Sequence, residues 1–174
     1  MRVVLLPHPL TPCRAVRGIV VTVLRHDDLT LRLRYDVEGD ISKLRVPQLS
    51  GQPGRADELW RHTCFEAFVR DAGEAYREFN LSPSRMWAAY EFDGYRTGGR
   101  VAAGAAPEIA SVEMDDADLM LLAHVRPGVP VRGARVALST VIEDASGTMS
   151  YWALAHPAKK PDFHHPDSFT VVVP

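Results

Sequence analysis

Apolar residues recur at every second position over short runs of this chain, and turn-forming residues close each run. The clearest run is Leu29 to Val37, where Leu29, Leu31, Leu33, Tyr35 and Val37 alternate with Thr30, Arg32, Arg34 and Asp36. A period of two puts one set of side chains on a buried face and the other in water, the pattern of a half-buried β-strand. Gly18 to Leu24 precedes it across Arg25-His26-Asp27-Asp28, so the two runs predict a β-hairpin with Arg32 and Arg34 on its wet face. Arg2 to Leu6, closed by Pro7, predicts an edge strand. Ile41 to Val46 shows another brief alternation, and the segment PQLSGQPGRADE after it predicts a long loop.

Residues 59–96 are the most aromatic part of the chain. His62 to Val69, Ala75 to Leu81 and Met86 to Phe92 predict a three-stranded meander, turned at Asp71-Ala72-Gly73-Glu74 and at Ser82-Pro83-Ser84. Alternation sets Phe65, Ala67 and Val69 against Cys64, Glu66 and Phe68. It also sets Arg77, Phe79 and Leu81 against Tyr76, Glu78 and Asn80. With simple strand pairing, Glu66 shares a sheet face with Glu78 and Asn80. Thr97 to Pro107 predicts an exposed connection of small residues. Glu108 to Met114 with Leu119 to Val125, and Arg135 to Glu143 with Thr148 to Ala155, predict two more hairpins. A Pro- and His-rich tail then leads into a last strand, Phe169 to Val173.

Turn signals this frequent, with no long helical period and no internal repeat, predict an all-β sandwich or barrel. The 174 residues suit one domain, 1–174, large enough to bury its own core. A formal charge of -2 gives no electrostatic basis for a nucleic-acid or anionic-membrane partner. Cys13 and Cys64 lack a CxxC arrangement and are expected as reduced thiols, Cys64 as a small buried hydrophobe. The apolar run at the N-terminus is broken by Pro7 and Pro9, which argues against an export signal. No apolar stretch approaches the ~18 residues that span a bilayer. A soluble, cytoplasmic protein is therefore expected.

The strings WRHTCFEAF, YREFNLSPS and WAAYEFDGYR, together with the tail SYWALAHPAKKPDFHHPDSF, resemble small bacterial DOMON-like proteins. These are relatives of the family 9 carbohydrate-binding modules of xylanases. The resemblance implies an immunoglobulin-like β-sandwich, here of antiparallel hairpins around a central meander. It also implies binding of a sugar or, in the cytochrome-like branch, of haem b held by a Met and a His. The pair of exposed tryptophans with which secreted sugar modules hold their ligand has no matching pair of positions here.

Sugar sites place an aromatic face against the apolar face of a pyranose and use carboxylates, amides and basic groups for the hydroxyls. Trp60, Trp87, Tyr90, Glu66, Arg77, Glu78 and Asn80 supply that chemistry, with Trp60 and Trp87 equally able to serve as core aromatics. Carboxylates inside half-buried strands need partners, which Arg61, Arg77 and Arg85 could supply as structural ion pairs. A second cluster is His156, Lys159, Lys160, Asp162, His164, His165 and Asp167. It suits a divalent metal or an anion in chemistry, but no zinc-ligand spacing is present. For haem, Met86, Met114, Met120 and Met149 are available beside His62, His124 and His156, with Met114 and His124 on neighbouring strands. His62 and Cys64 share a strand face, though a structural thiol explains Cys64 better than a Cys–His couple. Glu66 and Glu78 form a pair of the kind used in glycoside hydrolysis, and equally a structural network.

The sequence thus points to a non-catalytic module for a small polar, sugar-like ligand without a resident cofactor. The expected contacts are Trp60, His62, Glu66, Arg77, Glu78, Asn80, Trp87, Tyr90, His156, Lys160 and His164. The alternatives are a haem-binding electron-transfer domain and a protein–protein interaction domain without a small ligand.

Overall fold

A computed structural model of the protein describes residues 1–49 and 51–174. The period-two runs become strands. In chain order these are β1 (Arg2–Pro7), β2 (Val16–Arg25), β3 (Leu31–Gly39), β4 (Gly54–Arg55), β5 (Cys64–Arg70) and β6 (Tyr76–Leu81). They continue with β7 (Met86–Phe92), β8 (Arg100–Val101), β9 (Glu108–Met114), β10 (Asp118–Val125), β11 (Arg135–Glu143), β12 (Met149–Ala153) and β13 (Val171–Val172). Their hydrogen-bonded order is β4-β7-β6-β5-β11-β12-β1-β2-β3-β10-β9, with β13 beside β11 and β8 beside β7. Neighbours are antiparallel except β4 and β7, which run parallel. Among the described residues no helix is long and apolar enough to cross a membrane.

The path curls at β1. Its residues Arg2 to Leu5 pair with β2, whereas Leu6 and Pro7 pair with β12. One strand therefore belongs to both halves, and the halves turn their apolar faces toward each other. Ile19, Val21, Leu33 and Tyr35 from one side share a core with Phe65, Ala67, Phe79 and Leu81 from the other. Tyr35 is fully buried, packs 5.1 Å from the Phe65 ring and donates its hydroxyl hydrogen to the backbone oxygen of Glu66 at 2.7 Å. A buried phenol needs such a partner. The bond also fixes the half that carries β5.

Four expectations change. Ile41 to Val46 is not a strand: Ile41–Lys43 is a 3-10 turn, and only Leu44 makes a β-bridge, to Asp144. Asp40 accounts for this, since its side chain takes Ser42 and Lys43 locally, a competition that disfavours extension. The loop of residues 47–58, of which Ser50 lies outside the described residues, contains β4. The connection of residues 97–107 contains β8, and Ala102 and Ala105 are buried, because small side chains let the chain lie close against β7. At the C-terminus only Val171 and Val172 pair, and Phe169 instead packs against the outer face with Phe68 and Tyr76. Cys13 and Cys64 are unbonded thiols, with Cys64 buried.

Tyr35→Phe deletes the one hydroxyl contact that crosses the core to β5. Urea unfolding should show a loss of about 1–2 kcal/mol for this variant. An unchanged midpoint would mean that the bond holds nothing.

Candidate functional site

Register decides what reaches the outer face of the β5-containing half. Glu66 pairs with Asn80 and with Ser139, while Glu78 pairs with Phe68 and Tyr90. Inward, the same strands bury Phe65, Ala67, Phe79, Leu81 and Leu138. Outward, they present Glu66, Glu78, Tyr90, Phe92, Val141 and Tyr151 to a cleft of about 610 Å³. Trp60, Arg96, Pro161, Phe163 and His164 complete its walls from loops.

Three loops supply those walls, each held by short polar contacts. Trp60 sits in a 3-10 turn, Leu59–Arg61, and meets Tyr90 edge-on with centroids 6.1 Å apart. Tyr90 donates to Asp57 at 2.6 Å, and Arg55 on β4 grips the same carboxylate. The turn between β7 and β8 places Arg96 in the left-handed region, φ 54°, where its backbone N–H donates to the Tyr76 hydroxyl at 3.4 Å. The tail loop is tied to that turn by Asp162, which takes Arg96 at 2.8 Å and the Tyr95 hydroxyl at 2.5 Å. Burial alone would raise Asp162, but these bonds hold it below the ordinary carboxylate range. Asp162 also accepts the backbone N–H of His164 at 3.2 Å, a local turn that aims the imidazole back at the sheet.

His164 is enclosed by Phe68, Tyr76 and Phe92, each ring within 6 Å. Burial, then the positive charge of Arg96, pull its pKa down to about 4, so the ring is neutral at pH 7. Burial pushes the Tyr76 phenol up to about 12, so it is the donor in the 2.7 Å contact with His164 Nδ1. That fixes the tautomer, with the hydrogen on Nε2 facing Glu78 Oε2 at 3.6 Å. The contact is a neutral imidazole beside a carboxyl group and not an ion pair.

Glu66 and Glu78 form the floor. They are 3% and 6% exposed. Ser139 donates to Glu66 Oε2 at 3.2 Å, and the Asn80 amide donates to Glu78 Oε1 at 2.7 Å. No lysine or arginine bonds either carboxyl group among the described residues. Burial, with the charge of Glu78 added, pushes Glu66 up to about 8. Burial likewise raises Glu78, to about 7, against the opposing help of Asn80 and Arg96. The pair therefore holds a proton near neutrality, and can donate as well as accept hydrogen bonds to a ligand.

A third acid on the same face shows the contrast. Glu143 is as buried, yet it accepts from Arg45 at 3.1 Å and faces His62 Nδ1 at 2.7 Å. It is a satisfied structural carboxylate. His62 is consumed there and lies away from the cleft lining.

Of the residues singled out in the sequence, Trp60, Glu66, Glu78, Tyr90 and His164 meet in the cleft, with Asn80 buried beneath as the partner of Glu78. The others lie elsewhere. Trp87 opposes Leu81 and packs on the inner core, because its position on β7 has the parity of Ala89. Arg77 has the same parity, pairs with Glu91 at 3.3 Å and lies over Gly128, where a Cβ would collide with its guanidinium. His156 bonds the Leu6 carbonyl at 2.8 Å beside His8, and Lys160 stays exposed. The tail histidines and acids do not converge: among the described residues no three His, Cys, Asp or Glu side chains gather as metal ligands do. Met114 and His124 stand at opposite ends of their hairpin, opposite Leu119 and Glu108 respectively. That is about 17 Å of strand at ~3.4 Å per residue, too far to share a haem iron. Arg96, Phe92, Tyr151 and Phe163 complete the site without having been singled out. Tyr151 was accessible to the period-two rule, since it pairs with Val141 across β11 and β12.

No family model matches the chain, and no curated protein matches it. Among solved structures it is similar to a protein of Bacteroides uniformis ATCC 8492 described as a candidate carbohydrate-binding protein. The TM-score is 0.68 at 13% identity, over 97% of this chain and 84% of that one. A family 9 carbohydrate-binding module of Caldicellulosiruptor kristjanssonii, with cellotriose and with glucose, gives TM-scores of 0.47 and 0.46. Identity there is 12% and 13%, over 79% and 83% of this chain and 65% and 72% of those. The first likeness is one of fold alone at this identity, and the other two scores are too low to add to it.

The raised acids give a signed prediction. A carboxyl whose folded pKa lies above its unfolded value stabilises the fold at low pH and loses that contribution as pH rises through the folded value. For Glu66 the window runs from the ordinary value of 4.5 to about 8. Glu66→Gln should therefore gain stability relative to wild type between about pH 5 and about pH 9, by on the order of 4 kcal/mol. Urea unfolding at the two pH values measures it, and a pH-independent difference would show that Glu66 ionises normally.

Proposed function

We propose that the protein is a non-catalytic binding module whose ligand is a small, polar, sugar-like molecule held between the β5-containing sheet half and the tail loop. The observation that carries this reading is the composition of the cleft. Trp60, Tyr90, Phe92, Tyr151 and Phe163 offer rings for the apolar faces of a pyranose, and Glu66 and Glu78 offer oxygens that both accept and donate. About 610 Å³ accommodates a mono- or disaccharide-sized ligand.

The reading extends to the architecture and its relatives. The two halves that face each other across Tyr35 suit an immunoglobulin-like β-sandwich of the DOMON-like and family 9 type. The strand β1, shared by both halves, suits a single domain over residues 1–174. The Bacteroides uniformis protein of the same fold is described as a candidate carbohydrate binder, which supports a sugar ligand here as an analogy of fold.

Trp60 is the reporter. It is 40% exposed at the cleft, whereas Trp87 and Trp152 pack with the core. Titration with mono- and disaccharides should change the indole fluorescence of wild type and leave that of Trp60→Phe flat. Trp60→Ala should weaken binding about tenfold, ~1.4 kcal/mol, by calorimetry. Absence of any fluorescence, calorimetric or melting-temperature response across a saccharide panel would reject the sugar reading.

A further inference from the structure

We propose that the ligand carries a protonated primary amine, as a hexosamine does, which docks between Glu66 and Glu78 under the aromatic walls of the cleft. The inference rests on the reading of this cleft as a binding site and names the chemistry it selects.

Three acids on one sheet face are treated unequally. Glu143, buried to the same degree, has Arg45 and His62 as partners. Glu66 and Glu78 have only the neutral donors Ser139 and Asn80. Glu66 Oε1 accepts no hydrogen bond among the described residues, although the side chain is almost wholly out of water and lines the cleft. A buried carboxylate without a cation is costly to hold. Arg96, the cation that lines the cleft, is bonded to Asp162 at 2.8 Å and makes no bond to either acid. His164, the other basic group facing the pair, is neutral and holds its Nε2 3.6 Å from Glu78 Oε2, too far for a hydrogen bond. Tyr76 stays a phenol bonded to His164, and burial likewise pushes up the neighbouring Tyr90 and Tyr35 phenols and the Cys64 thiol, so none of them brings positive charge. The floor is thus short of bonded positive charge: Arg96 eases both acids only through space, and among the described residues no cation on β5, β6, β11, the Arg96 turn or the tail loop bonds either carboxyl group.

The walls suit the same ligand. Trp60, Tyr90, Phe92, Tyr151 and Phe163 present π-systems that attract a cation as well as a sugar ring. A neutral sugar would fill the aromatic walls and leave the charge deficit unrelieved. A single ammonium relieves it, with hydrogens enough to reach Glu66 Oε1 and Glu78 Oε2 together. A divalent metal would need further ligands: His164 turns an N–H toward the pair, and among the described residues no three His, Cys, Asp or Glu side chains gather as metal ligands do.

The test is calorimetric titration of the full chain with glucosamine, glucose, N-acetylglucosamine and cyclohexylamine near pH 7.5, within the range where the pair shares a proton. N-acetylation keeps the ring and removes the charge; cyclohexylamine keeps the charge and removes the hydroxyls. Glucosamine should bind about tenfold or more tightly than glucose or N-acetylglucosamine. The ratio should fall to near one in Glu66→Gln and, should that variant not fold, in Glu78→Gln. Equal affinity for the three sugars overturns the proposal and leaves the sugar reading standing. Binding of cyclohexylamine with no response to glucose or N-acetylglucosamine supports the amine and rejects the sugar. No binding of any of the four rejects both.

Discussion

Two carboxyl groups removed from water on one sheet face, with no cation bonded to either among the described residues, set the terms for everything around them. Charge in such a place is unfavourable unless it is shared, protonated or met by a ligand. Each feature of the cleft can be traced to that constraint. The imidazole above the pair is neutral because burial and Arg96 keep it so. Arg96 itself is drawn off by Asp162, and that ion pair fastens the tail loop over the sheet. Aromatic rings enclose His164 and line the cleft above the pair. Glu143 shows that the same sheet face can satisfy a buried acid when nothing else is asked of it.

The scaffold that imposes this position is rigid in register. Glu66 cannot turn inward, because its neighbours Phe65 and Ala67 already fill the core and a slip of one residue would exchange the faces. The Tyr35 hydroxyl holds the backbone of Glu66 from the other half of the protein. Because β1 pairs with both halves, the distance between them is fixed by hydrogen bonds as well as by packing. The site is therefore mounted on strands and closed by loops, an arrangement that places the acids accurately while leaving the walls adjustable.

Much of this was legible in the order of residues. The period of two in the runs that became β3, β5 and β6 identified strands and assigned Glu66, Glu78 and Asn80 to one face, where they are found. The same period could not tell which face of β7 is buried, since Trp87 and Tyr90 are both aromatic and stand on opposite sides. Trp87 went to the core and Tyr90 to the cleft. Arg77 and His62 looked like ligand contacts only because their partners, Glu91 and Glu143, lie 14 and 81 residues away in sequence. Arg96 carries no local signal at all: its place depends on a left-handed backbone in a turn and on Asp162, 66 residues further on. In the tail, proximity in sequence suggested a metal cluster, but the prolines fan the histidines apart, His156 toward β1, His164 onto the sheet and His165 onto the N–H of Asp167.

The central claim is that Glu66 and Glu78 sit in the cleft without a bonded cation among the described residues. Carbon-13 NMR of the side-chain carboxyls, followed through a pH titration of the unliganded protein, tests it most directly. Glu66 and Glu78 should retain a proton until close to neutrality and titrate as a linked pair. If both acids instead ionise at or below the ordinary carboxylate value of 4.5, the pair is solvated or otherwise neutralised, and the cleft floor has no charge deficit for a ligand to relieve.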